Sequence, residues 1–84
     1  MKDCFITFRS VTFAQRGESE LKRGGIPCNV QRTPRWMEEQ GCGYSLRVRF
    51  LELEDVVALL KNHRISYRKV YLEGDNGAME ELTL

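Results

Sequence analysis

Residues 44–64, YSLRVRFLELEDVVALLKNHR, change their hydrophobic period once, and that change decides the fold. Tyr44, Leu46, Val48 and Phe50 alternate with Ser45, Arg47 and Arg49, the period of a half-buried strand. Beyond them Leu53, Val56, Val57 and Leu60 fall at i, i+3, i+4 and i+7, the stripe of an amphipathic helix. Acidic residues open that helix and Lys61, His63 and Arg64 close it, so charge matches the macrodipole at both ends.

Working outward, the N-terminal half repeats the pattern. DCFITF reads as a strand with Cys4, Ile6 and Phe8 on one face and Phe5, Thr7 and Arg9 on the other. SVTFAQRGESELKRGG then places Phe13, Ala14, Gly17 and Leu21 on one helical face. Ser10 or Thr12 serves as the cap, and Gly24-Gly25 is the stop. Thr12 and Gln15 have capping-box spacing, so both caps stay open. PCNVQ is a short second strand with Cys28 and Val30 inward, and SYRKVYLE is the last strand.

The order is βαββαβ, one small α/β domain spanning 1–84, with a tail from about 74 that is a candidate for flexibility. Right-handed crossovers turn this order into a ferredoxin-like α+β sandwich: a four-stranded antiparallel sheet, order 4-1-3-2, with both helices on one face. In that topology the start of the third strand lies beside the end of the first, where helix one begins. Cys42, Ser10, Thr12 and RTPR are therefore expected at one end of the sheet, together with the end of helix two and His63.

The chain has 84 residues, 13 basic against 12 acidic, for a formal net charge of +1. Generic polyanion binding is not indicated by that balance. No apolar run approaches a membrane span, and MKDCFITFRS lacks the apolar core of a signal peptide, so the cytoplasm is the expected address. Cys4, Cys28 and Cys42 are an odd, scattered set; with the lone His63 they complete no zinc site, and no metal or cofactor is expected.

Between the second and third strands runs RTPRWMEEQGCG, a dozen residues without periodicity, and a connection of that length in a small domain is often functional. Cys42 sits in it between Gly41 and Gly43, which remove bulk around the sulfur and allow a bent backbone. A helix start and Arg9, Arg32 and Arg35 would lower a thiol pKa at that end. From the residues alone Cys42 is either a reactive thiol or a small residue that fits a turn, and a Cys28–Cys42 disulfide is a third option. Cys4 and Cys28 alternate with the core set and read as inert.

The quoted segments ITFRSVTFAQ, GGIPCNVQRTPR and GCGYSLRVRF resemble the selenium/sulfur carrier-like family over roughly the first fifty residues. Cys42 and Gly43 match its cysteine-glycine pair, Pro34 and Arg35 its PR element, and Ser10 and Thr12 its helix-start hydroxyls. The sequence departs from the family in carrying Glu38 and Glu39. The resemblance implies a carrier rather than an enzyme, holding sulfur or selenium on Cys42 as a persulfide or selenenylsulfide. Its partners would be a cysteine desulfurase or selenium-donor enzyme and an acceptor.

Two other readings stand beside it. Phe5, Thr7, Asn29, Arg47 and Arg49, with either Tyr67, Lys69 and Tyr71 or Arg68, would line the helix-free face. Such a face suits RNA, a protein partner or a homodimer. The paired aromatics of an RNA-recognition signature are missing from YSLRVRF, so nucleic acid is not the expected partner. A thiol redox sensor would use Cys42 without a donor.

Overall fold

The computed structural model describes residues 2–33 and 43–83. Strand β1 (Asp3–Thr7) is followed by helix α1 (Val11–Arg23), β2 (Asn29–Arg32) and β3 (Tyr44–Arg49). A 3-10 turn (Phe50–Glu52) leads into α2 (Leu53–Asn62), and β4 (Val70–Glu73) and β5 (Met79–Leu82) complete the chain. All strand pairs are antiparallel, in the order β2-β3-β1-β4-β5.

The fold is α+β, as the periodicity indicates, but the sheet has five strands among the described residues where four were expected. The added strand comes from the tail. Gly74 donates to the Ala78 carbonyl at 2.8 Å, Asn76 Oδ1 accepts from the Ala78 N–H at 3.0 Å, and Gly77 takes φ +82. This Asp-Asn-Gly turn is a hairpin signal. Its partner strand MEEL is a half-exposed edge with little apolar content, so periodicity alone does not single it out.

One face of the sheet carries the core. Cys4, Ile6 and Phe8, Leu46 and Val48, and Val70 pack against Ala14, Leu21, Leu53, Val56 and Leu60 of the two helices. Gly17 is what lets α1 approach, since a Cβ there would stand 3.0 Å from Leu46 Cδ1 and 3.3 Å from Leu60 Cδ2. Phe50 leaves the strand alternation and is 43% exposed, because the chain turns into the 3-10 segment there.

Both helices end the same way. After α1, Ile26 donates to the Leu21 carbonyl at 2.8 Å and Gly25 to Lys22 at 3.0 Å; after α2, Ile65 donates to Leu60 at 2.9 Å and Arg64 to Lys61 at 3.1 Å. These are Schellman closures, each with a buried isoleucine returning to the helix. Gly25 supplies the left-handed residue in the first, φ +80, and Arg64 in the second, φ +56.

The last strand begins later than SYRKVYLE suggests. Thr7 N–H donates to Lys69 O at 2.9 Å while Arg68 N–H donates to Thr7 O at 2.7 Å, and Thr7 Oγ1 takes the Lys69 N–H at 3.1 Å. Two residues thus oppose one, a bulge that resets the alternation. Tyr67 packs on the helix side and Tyr71 on the other, a split that an unbroken strand could not produce.

Candidate functional site

The end of the sheet where β1 stops and β3 starts collects the described residues of interest. Thr7 pairs with Ser45 and Arg32 with Tyr44, so Ser10, Arg32, Thr33 and Gly43 leave the sheet at one end. Ser10 is the cap of α1: its Oγ accepts the Phe13 N–H at 3.1 Å from an extended backbone, which settles the choice against Thr12. Thr12 lies exposed in the first turn, and no acidic side chain occupies that turn to offset the positive helix end.

Gly43 takes φ +85, a region that favours glycine, and its carbonyl accepts the Thr33 N–H at 2.9 Å. The glycine after Cys42 is thus required by the backbone. That hydrogen bond extends the β2–β3 ladder by one more pair. Arg32 lies over the Tyr44 ring, its Cζ 5.4 Å from the centroid and Nη1 3.5 Å from the hydroxyl. Its guanidinium is therefore placed on an aromatic face.

Cys42, Gly41, Pro34 and Arg35 lie outside the described residues, as do Glu38 and Glu39. The other two cysteines are free thiols closed to chemistry. Cys4 is fully buried, and burial with the nearby Asp3 charge pushes its thiol up to about 11. Cys28 is 6% exposed, with Sγ 3.8 Å from the Glu18 carbonyl oxygen; burial raises its thiol, Glu18 adds to the rise and Lys22 opposes it. With Cys28 a free thiol, the disulfide option has no support in the structure.

His63 is not at this end. Its Nδ1 stands 3.3 Å from Glu20 Oε2, and Glu20 is ten residues along α1 from Ser10, roughly 15 Å of helix. The reason is where the short α2 packs along α1: Gly24, at the end of α1, faces Leu59, so the last turn of α2 lies beside the C-terminal half of α1. Among the described residues no group of three or more His, Cys, Asp or Glu could hold a metal ion. No helix among them is long and apolar enough to cross a membrane.

The helix-free face is less open than its sequence suggests. Phe5 and Tyr71 are 4% and 6% exposed and cluster with Met79. Arg47 lies over the Phe5 ring at 5.4 Å and bonds Asp3 Oδ2 through Nε at 2.7 Å and Nη2 at 2.6 Å, with Glu73 at 3.7 Å. Arg49 pairs with Glu52 at 2.8 Å, and Lys69 Nζ lies 3.6 Å from Glu81. Rings that should stack on a partner are covered, and the neighbouring cations carry their own carboxylates.

Sequence reasoning missed two groups on this face, the Thr33 and Ser45 hydroxyls. Both are buried and have no hydrogen-bond partner among the described residues. Ser45 was legible as a small polar residue among strand arginines, but its burial was not, because alternation only assigns it to the face away from the helices.

Comparison with curated proteins and with solved structures finds no match. Residues 3–72 match the family described as "Putative Se/S carrier protein-like". That span runs from the first residue of β1 into β4, so it takes in both helices, the paired ends of β2 and β3 and the segment holding Cys42. By a match over most of its length, this chain belongs to the Se/S carrier-like family.

Proposed function

We propose that this chain is a cytoplasmic sulfur or selenium carrier, built on a ferredoxin-like frame, that holds the atom on Cys42 and passes it to an acceptor. The family match over residues 3–72 carries the reading. The order of β1 to β4 and the shared helix face support the frame.

The state of the other thiols supports the choice of cysteine. A carrier needs an accessible thiolate. Cys4 and Cys28 are buried with raised pKa values, so neither meets that need. In the transfer the Cys42 thiolate attacks the outer sulfur of a donor persulfide. A new S–S bond forms, the donor's S–S bond breaks, and the donor cysteine leaves as its thiolate. The same displacement at a selenenylsulfide moves selenium, and the acceptor repeats it in turn.

Mass spectrometry after incubation with a cysteine desulfurase and cysteine tests this. Wild type should gain sulfur-sized mass that a reductant removes, and Cys42→Ser should gain none. Equal loading of Cys42→Ser ends the assignment. Sulfenic acid on Cys42 under peroxide, with no uptake from the donor, would select the redox sensor instead.

A further inference from the structure

Helix α2 is apolar beyond the stripe it buries. Leu53, Val56 and Leu60 face the core, yet Val57, Ala58 and Leu59 lie between them, and Phe50 and Leu51 lead in from the 3-10 turn. A helix with one buried face ordinarily turns polar residues outward. Here Leu51 is 82% exposed and Phe50 43%, and Ala58, two turns beyond Leu51, is exposed as well.

Two grooves flank Ala58. One, of about 670 Å³, runs between α2 and the end of α1, past Gly25, Ile26 and Leu59. The other, of about 520 Å³, is bordered by Leu53, Val57, Glu54 and Lys61. Asp55 and Ala58 border both. Gly25 leaves the first groove open, since a Cβ there would meet nothing within 4 Å.

The charge around these grooves is negative. Arg49 neutralises Glu52 at 2.8 Å, but Glu54 and Asp55 stand exposed and form no ion pair among the described residues. Both offset the positive end of α2, which amounts to only about half a charge, so two carboxylates leave an acidic excess. The carbonyl end of α1 adds to it at Gly24 and Gly25. A second copy seated face to face would set these carboxylates against their own counterparts, and a phosphate-bearing surface would be repelled. The complementary occupant is both apolar and basic.

We propose that the outer face of α2, from Leu51 to Lys61, docks an amphipathic segment of a partner protein. Its apolar side chains seat beside Ala58, and its lysines or arginines reach Glu54, Asp55 and the carbonyl end of α1. The six residues of β3 separate this surface from Gly43 by roughly 20 Å of strand. It is therefore independent of the chemistry proposed for Cys42.

A fluorescein-labelled amphipathic helix built of leucine and lysine is the probe, with binding followed by fluorescence anisotropy. Wild type should bind it at low salt and should not bind the same helix with glutamate in place of lysine. Leu51→Ser with Ala58→Gln should weaken binding about tenfold. Glu54→Gln with Asp55→Asn should flatten its salt dependence. All four residues are exposed, so circular dichroism should find both double variants folded. No binding of the lysine helix, or equal affinity and salt dependence in wild type and both variants, overturns the inference. A dimer in sedimentation that Leu51→Ser dissolves would give the face to a second copy and overturn it too.

Discussion

The two faces of the sheet bury similar residues by different means. On one, Cys4, Ile6 and Phe8 lie under two helices whose own apolar stripes meet them. On the other, Phe5 and Tyr71 are almost as well hidden, yet no helix among the described residues packs there, and a charged side chain, Arg47, lies over Phe5 while Asp3 and Glu73 hold it in place. The first face gets its stability from dense apolar contact. The second relies on the aliphatic stem of an arginine and on charges still in touch with water. Stability is therefore concentrated on the helix side, and the helix-free side is where polar groups such as Ser45 can sit buried without an assigned partner.

The strongest test of that contrast is Phe8→Ala. Phe8 is fully buried beneath α1, and truncation leaves a cavity the packed helices cannot close, so a loss of about 3–5 kcal/mol is expected in urea denaturation. A loss below about 1 kcal/mol would mean that the helices repack freely and that the two faces do not differ as described.

A second test uses pH. The Cys4 thiol stands at about 11 in the folded chain against an ordinary 9.0, so the folded state holds its proton more tightly than the unfolded state. The stability this contributes is complete below 9.0 and is lost as pH rises to about 11, on the order of 3 kcal/mol. Wild type minus Cys4→Ala should show that decline across the window. A flat difference would show that Cys4 is not sealed on the helix side.

The smallest effect belongs to the other face. Arg47→Met keeps an apolar stem over Phe5 and removes only half-exposed ion pairs, so it should cost less than about 1 kcal/mol. Arg47→Ala should cost more, since it also uncovers the ring. If Met costs as much as Ala, the ion pairs rather than the stem protect this face.

Much of the helix side was legible because it follows periodicity. The spacing of Leu53, Val56 and Leu60 predicts the buried stripe that α2 presents, and Ala14, Gly17 and Leu21 do the same for α1. Ser10 and Gly25 belong to the expected helix boundaries because capping depends on neighbours within one turn. The helix-free side was read less well. Phe5 and Arg47 were assigned to it correctly as a face, but their mutual cover was not legible, since Asp3 and Arg47 are forty-four residues apart. The bulge at Thr7 is a further case: two residues oppose one only when the partner strand is in place, and SYRKVYLE by itself alternates without a break.

For the candidate site the division is similar. The cysteine-glycine pair and the hydroxyl at the helix start are matters of sequence, and the positive φ of Gly43 is what a glycine at that bend is suited to. His63 was misplaced because the position at which one helix packs along another depends on side-chain packing, here on the small Gly24 against Leu59. By itself the sequence determined the element types, the helix core stripe, the caps and the family, because each rests on local spacing or on quoted motifs. Only the tertiary structure decided that a fifth strand joins the sheet, that Cys4 and Cys28 are closed, and that the Thr33 and Ser45 side chains are buried. Those outcomes depend on which distant strands lie side by side, and burial and hydrogen-bond supply are properties of that arrangement.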